Sequence, residues 1–182
     1  LPTPTAPPRP SRPSRDSMRT IGVISDTHGL LRPEALEALE GSELILHAGD
    51  VEDLAILEEL STVAPVHAVR GNTDGGRLAE LLPHDAMVDL GSADGRLLEE
   101  GPLGPVAYVL HIQEEISLDP SEAGVDVVVT GHTHEPAIEE KGGVLWLNPG
   151  SAGPKRFHLP VTVALLRVDG AEWEAEVVEI VE

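Results

Sequence analysis

Asp26 and His28 stand two residues apart in the stretch Ile21-Gly-Val-Ile-Ser-Asp-Thr-His-Gly29. Alternate side chains of an extended segment leave the same side, so this carboxylate and this imidazole can grip one ion. The theme recurs in Gly49-Asp50, in Gly71-Asn72-Thr73-Asp74 and in Gly131-His132-Thr133-His134, with His111 near the end of a further apolar run. Any one of these has a bland explanation as a polar turn after a strand. Their conjunction points to metal. The set Asp26, His28, Asp50, Asn72, His111, His132 and His134 mixes carboxylates, imidazoles and one amide oxygen, with no thiolate. Such donors suit Mn²⁺, Fe, Zn²⁺, Co²⁺ or Ni²⁺ better than Mg²⁺ or Ca²⁺, which prefer all-oxygen shells. A catalytic zinc usually takes three protein ligands and a water. This set is too large for one such ion, and two ions sharing a carboxylate would use it fully.

The elements that must position these groups read as follows. Residues 21–24 form an apolar strand running into the Asp-x-His loop, and ligands of open α/β sheets collect outside the carboxyl ends of strands. Residues 33–40 combine an early Pro with strong helix formers and a stopping Gly41, which predicts a short helix. Residues 44–50 read as a second strand, residues 53–60 as a second helix with Leu54, Leu57 and Leu60 on one face, and residues 63–69 as a third strand. Strand and helix alternating in this way argue for a parallel start. The stretch 76–105 reads only as short strands and loops. Residues 106–112 and 125–130 return to strand patterns, residues 119–124 suggest a short capped helix, and 144–147 form a strand before the turn Asn148-Pro149-Gly150-Ser151. Residues 161–168 and 173–181 close the chain as strands, the last alternating Glu172, Glu174 and Glu176 with Trp173, Ala175 and Val177 in the period-two pattern of a half-solvated antiparallel strand. The result is a mixed α/β domain over residues 18–182. Residues 1–17, rich in Pro, Ser, Thr and Arg, are expected to be a disordered extension.

Composition narrows the functions. The 182 residues include 32 acidic and 12 basic side chains, a formal charge of −20. A long nucleic acid would be repelled, and a small substrate fits better. Acidic surfaces also serve solubility alone. Cysteine is absent, which excludes disulfides, thiolate metal sites and cysteine nucleophiles, and favours an intracellular setting. No apolar run approaches a membrane span and no signal-like segment stands at the beginning, so a cytoplasmic location without membrane attachment is expected. The chain also lacks a Gly-x-Ser-x-Gly elbow, a His-Glu-x-x-His helix and a Gly-x-x-x-x-Gly-Lys loop.

Taken in order, the Asp-x-His, Gly-Asp, Gly-Asn-x-Asp, strand-end His, Gly-His-x-His and Asn-Pro-Gly-Ser segments resemble the calcineurin-like metallophosphoesterases, most closely their short prokaryotic phosphodiesterase branch. The resemblance covers roughly residues 19–182 and implies a four-layer α/β/β/α sandwich, two mixed sheets flanked by helices. Carried over, it puts one divalent ion on Asp26, His28, Asp50 and His134 and the other on Asp50, Asn72, His111 and His132, with Asp50 bridging. Mn²⁺ is the ion expected first. The implied reaction is attack on phosphorus by a hydroxide held between the ions, with Asp50, Asn72 and His111 closest to the chemistry. It implies a small phosphoester substrate and allows a homo-oligomer. Asp74 and Thr133 are expected to orient ligands or to bond within their loops.

Two positions depart from the family pattern. Thr73 stands where many phosphatases of the family carry a His that can protonate the leaving group. A diester with a good leaving group needs that acid least, which favours phosphodiesters over phosphomonoesters. Ile112 replaces the usual Gly after the strand-end His and is expected to narrow the site or to change how His111 is presented. The competing reading is an interaction scaffold of the same fold, as in the retromer subunit with a degraded metal set; here every ligand position is filled. Among the remaining histidines, His47 and His67 are expected to be structural and His84 a surface residue, while His158 and Arg70 each have a substrate-facing reading beside an ordinary surface one.

Overall fold

The structure, a computed structural model, describes residues 18–170 and 172–181. The expected extension at residues 1–17 lies outside them. The chain opens on β1 (Arg19–Ile24), α1 (Pro33–Leu39), β2 (Leu44–His47), α2 (Leu54–Leu60), β3 (Val66–Ala68) and α3 (Gly76–Leu81). It continues through β4 (Asp85–Asp89), β5 (Val106–Leu110), a 3₁₀ turn at Gln113–Glu115, and β6 (Val127–Val129). It ends in β7 (Ala137–Lys141), β8 (Val144–Asn148), β9 (Val161–Asp169) and β10 (Glu172–Val181).

The strands form two mixed five-stranded sheets, in the orders β10-β9-β1-β2-β3 and β4-β5-β6-β8-β7. This is the α/β sandwich that the resemblance implied. In the first sheet β1, β2 and β3 are parallel, and β9 and β10 are antiparallel to their neighbours. The second holds β5, β6 and β8 parallel, with antiparallel edges. Ile21, Val23, Leu44 and Leu46 of the first sheet face Val109, Val127 and Val129 of the second across one buried core. Each such side chain contributes roughly 1.5–3 kcal/mol by leaving water. A second cluster packs Ala35 and Leu39 of α1 and Ile56 and Leu60 of α2 against Ile24, Ile45 and Val163 on the outer face of the first sheet. On the outer face of the second sheet, Ile116 and Leu118 after the 3₁₀ turn pack with Tyr108, Leu110 and Val128.

Helices α1 and α2 begin as their sequences dictate. Pro33 occupies the first turn of α1, and Asp53 caps α2 by accepting from the Ala55 N–H at 2.9 Å. The buried face of α2 differs from the expected leucine stripe. Ile56 and Leu60, four apart, are buried, while Leu54 and Leu57 are only partly covered.

The expected helix at residues 119–124 is a single turn. Asp119 takes the Ser121 and Glu122 N–H groups on its carboxylate and the Ala123 N–H on its carbonyl, and Gly124 ends the run before a helix nucleates. In the stretch 76–105 the structure has a helix, α3, as well as the strand β4. It is short and holds because Leu78 is buried and the Arg70 guanidinium donates to the carbonyls of Ala79 and Leu82 at 3.2 Å. Arg70 therefore caps α3, and no carboxylate pairs with it among the described residues. β7 had no sequence signal of its own. All five of its residues are exposed, so no apolar alternation marks it. Among the described residues no helix is long and apolar enough to cross a membrane.

Candidate metal centre

The parallel strands of both sheets deliver their carboxyl ends to one place. Asp26 and His28 follow β1, Asp50 follows β2, Asn72 follows β3, His111 follows β5, and His132 and His134 follow β6. All seven expected ligands meet there. Asp26 Oδ1 lies 3.2 Å from His134 Nε2, 3.7 Å from His28 Nε2 and 3.9 Å from His111 Nε2. Asp50 Oδ2 lies 3.2 Å from His111 Nε2 and 3.7 Å from His28 Nε2. Asn72 Oδ1 is 3.0 Å from both His111 Nε2 and His132 Nδ1.

These spacings test the fit of metal ions. Donors sharing a first-row ion at about 2.1 Å stand roughly 3–3.4 Å apart. Asp26 Oδ1 is buried and engages in no hydrogen bond, although imidazole nitrogens surround it. His28 Nε2 and His134 Nε2 point at each other across 3.2 Å. Inward-facing lone pairs around an orphaned carboxylate oxygen are the pattern that a cation completes. Two donor groups with that capacity overlap, Asp26 with His28 and His134, and Asp26 with Asp50 and His111.

The charges agree with this picture. Burial pushes the Asp26 carboxyl up, but the His134 imidazole, the Ser25 hydroxyl and the nearby His111 outweigh it and hold the group below the ordinary carboxylate range. Burial opposes ionisation of Asp50 too, and His111 together with the Thr73 N–H overcomes it. Burial lowers His111, and Asp50 and Asp26 raise it by more, so its net shift is upward. The centre thus keeps two buried carboxylates ionised.

The loops are strained into position. Asp26, His28, Asp50, Glu52, His132 and His134 all have positive φ, between 46° and 70°. Non-glycine residues adopt that region only where surrounding structure imposes it. The motif glycines permit the close packing behind it. A Cβ at Gly71 would fall inside the Asp50 carboxylate, and one at Gly131 would lie 2.7 Å from Asp26 Oδ2.

Several positioning groups escaped the sequence reading. Glu52 Oε1 accepts a hydrogen bond from His28 Nδ1–H at 2.6 Å, leaving Nε2 as the inward lone pair. The Ser25 hydroxyl donates to Asp26 Oδ2 at 2.6 Å. The Asn148 amide donates to Gly131 O and Thr133 Oγ1, and the Ser151 hydroxyl donates to Asp26 O at 2.9 Å, so the Asn-Pro-Gly-Ser turn braces two ligand loops. The first two had no sequence signal beyond adjacency to a ligand.

Asp74 accepts from the N–H groups of Gly71, Val51 and Glu52, tying the β2 and β3 loops together. It and Thr133 work through loop backbone and the Asn148 amide, and neither bonds a ligand side chain among the described residues. Ile112 stands beside a His111 that is held from its other side. Its φ of −105° is ordinary extended backbone, and the His111 ring is anchored by Nδ1 donating to Ala48 O at 2.7 Å. His47 and His67 are structural, as expected. The first receives the Gly49 N–H and contacts Thr27 Oγ1, and the second bonds Asp94 O. His84 lies on the surface between Asp85 and Glu115, which raise its pKa. Beside His132 opens a cavity of about 200 Å³ whose charged lining, His132 apart, consists of Glu114 and Glu135.

Residues 18–171 match the calcineurin-like phosphoesterase superfamily domain. A probable metallophosphoesterase of Methanothermobacter thermautotrophicus is 39% identical, over 87% of this chain and 91% of that protein. A phosphodiesterase of Methanocaldococcus jannaschii is 31% identical, over 87% of this chain and 99% of that protein. Among solved structures, Vacuolar Protein Sorting 29 of Cryptosporidium parvum superposes with a TM-score of 0.66 at 20% identity, covering 92% of this chain and all of that one.

Proposed function

The chain belongs to the calcineurin-like phosphoesterase superfamily, and on that premise we propose that it is a two-metal phosphodiesterase acting on a small phosphodiester. The observation that carries the reading is the meeting of seven donors from two sheets in one cluster that holds the orphaned Asp26 Oδ1. Asp26, His28, Asp50 and His134 would hold one divalent ion, and Asp50, Asn72, His111 and His132 the other. Asp50 suits the bridge, since its Oδ2 lies 3.7 Å from His28 Nε2, assigned to one ion, and 3.2 Å from His111 Nε2, assigned to the other. Mn²⁺ is the first candidate, with Fe, Zn²⁺, Co²⁺ and Ni²⁺ compatible with the same donors. Bound ions would lower the pKa of a water molecule and offset charge on the phosphoryl oxygens.

The chain's own groups do the positioning. Glu52 fixes the tautomer of His28, Ala48 O fixes that of His111, and the Thr73 N–H holds Asp50 Oδ1 at 3.0 Å. Thr73 offers no imidazole to a leaving group, which supports diesters with good leaving groups over monoesters. The named phosphodiesterase among the relatives supports the same choice. A scaffold of this fold is the second reading, raised by the likeness to Vacuolar Protein Sorting 29. At 20% identity that likeness carries the fold and no role.

The test is hydrolysis of bis(p-nitrophenyl) phosphate with and without Mn²⁺. Metal-stimulated turnover is expected, and Asp50→Ala should lose turnover and metal retention together. Folded protein that is inert under every metal would favour the scaffold, and an active Asp50→Ala variant would remove Asp50 from the bridge.

A further inference from the structure

Seven non-glycine residues among those described have positive φ, and six belong to the metal loops; the seventh is Phe157, at 53°. A bulky side chain is strained in that region. Packing does not compensate, because Phe157, the only Phe of the chain, is 93% exposed. Strain of this kind clusters at ligand-contacting sites. Its neighbours are Lys155, Arg156 and His158. Neither Lys155 nor Arg156 has a side-chain hydrogen bond or ion pair among the described residues, in a chain of formal charge −20. Of the other described lysines and arginines only Arg77, on α3, is likewise unpaired; Arg19 is engaged by Glu43, Arg96 by Asp94, Lys141 by Glu139, Arg167 by Glu176, and Arg32 and Arg70 by carbonyls.

The root of this loop is fixed to the metal centre. Gly153 lies so close to the Asp26-Thr27 backbone that a Cβ there would fall 2.5 Å from both carbonyl oxygens. Arg32 donates to Gly153 O at 3.3 Å, and the Ala152 N–H donates to Ser25 O at 3.1 Å. Residues 154–158 therefore start beside Asp26, and five residues span at most about 17 Å. That span bounds the distance of the loop tip from the Asp26 backbone. The cavity beside His132 supplies no lysine or arginine to a substrate, whereas this loop supplies two cations and a flat ring.

We infer that residues 155–158 form a substrate-recognition arm for nucleotide-type phosphodiesters, Lys155 and Arg156 attracting the phosphate and Phe157 stacking on the base. The inference rests on the phosphodiesterase reading and narrows its substrate class. A polyol diester would satisfy the two cations and leave the exposed ring without a role. Stacking on a base does not depend on its identity, so the arm selects a class of substrate and no one sequence.

The test compares the p-nitrophenyl ester of thymidine 5′-monophosphate with methyl p-nitrophenyl phosphate on the Mn²⁺-loaded protein. Phe157→Ala should raise KM for the nucleotide ester about tenfold, as loss of one base stack does, leaving kcat and the methyl ester within about twofold. Lys155→Gln with Arg156→Gln should raise KM for both esters. Unchanged melting temperatures would establish that the variants fold, as exposed positions allow. No KM change in Phe157→Ala, or equal changes for both esters, overturns the inference. A wild type that hydrolyses neither ester sinks the phosphodiesterase reading separately. The arm is then judged by binding: in Phe157→Trp, thymidine 5′-monophosphate should quench indole fluorescence and methyl phosphate should not, and absence of quenching overturns it.

Discussion

A single buried histidine illustrates how the centre constrains its surroundings. His47 is fully buried, and burial pushes its pKa down to about 4 against the attraction of Asp26 and Asp74. It is neutral in the folded protein near pH 7, accepting from Gly49 and meeting Thr27. The unfolded chain titrates this group at about 6.5. Above that value neither state carries the proton and the group is indifferent to pH. Between 6.5 and 4 only the unfolded chain is protonated, so stability falls as pH falls, and below 4 the effect saturates. His47→Gln cannot titrate. With EDTA present, urea unfolding at pH 7 and pH 5 should show the wild type losing about 2 kcal/mol more than His47→Gln. The other histidines are common to both proteins and cancel in the comparison. Equal losses would mean that His47 is protonated in the fold. From the sequence, His47 could be read as a structural residue in an apolar strand. Its partners could not, because Thr27 lies on a different loop and Gly49 bonds back to it only through the sharp turn after β2.

At the level of elements, what was legible follows from which signals are local. An apolar strand that runs directly into a polar ligand loop leaves a strong local mark, and β1, β2, β5 and β6 with their ligands were readable for that reason. β7 and α3 were not. The first is exposed throughout and exists because β8 pairs with it, and the second depends on Arg70 from the β3 loop to cap its carbonyls. Glu52 was equally hidden, since its role arises only when the β1 and β2 loops come together. The loops meet through glycines, and this gives a direct test. At Gly71 an added methyl group would enter the space of the Asp50 carboxylate and backbone N–H. Relief requires the β3 loop to move away, which carries Asn72 off and breaks the Asp74 tie to Val51 and Glu52. Gly71→Ala should weaken Mn²⁺ binding by about 10–100-fold in calorimetry, the usual scale for disturbing groups that hold a ligand. The exposed Gly75, where a Cβ meets nothing, is the control, and Gly75→Ala should bind as the wild type does. Matching affinities in the two variants would show that this close approach does not set the site.

For the molecule as a whole, the centre is also the seam between its two sheets. On the proposed ligand set, donors from β1, β2 and β3 in one sheet and from β5 and β6 in the other share the same ions, so metal binding and sheet pairing are one equilibrium. The chain carries 32 acidic residues against 12 basic ones, and Asp26 and Asp50 are buried at this seam with no lysine or arginine paired to them among the described residues. Without ions their repulsion works against the fold; with ions it becomes attraction across the seam. Ligand that binds only the folded state stabilises it by about 2.7 kcal/mol at a hundred times its Kd. In a domain of this size that corresponds to a rise in Tm of about 5–10 °C. Calorimetry of EDTA-stripped and Mn²⁺-loaded protein should show that rise, and Asp50→Ala should not show it. Added NaCl should stabilise the stripped protein more than the loaded one, because salt screens the self-repulsion that the ions have already relieved. A stripped protein that melts at the loaded temperature would mean that hydrophobic packing between the sheets, with Ile21, Val23, Val127 and Val129 at its centre, holds the seam unaided. The metal would then contribute to chemistry alone, and Asp50→Ala would lose activity with no change in stability.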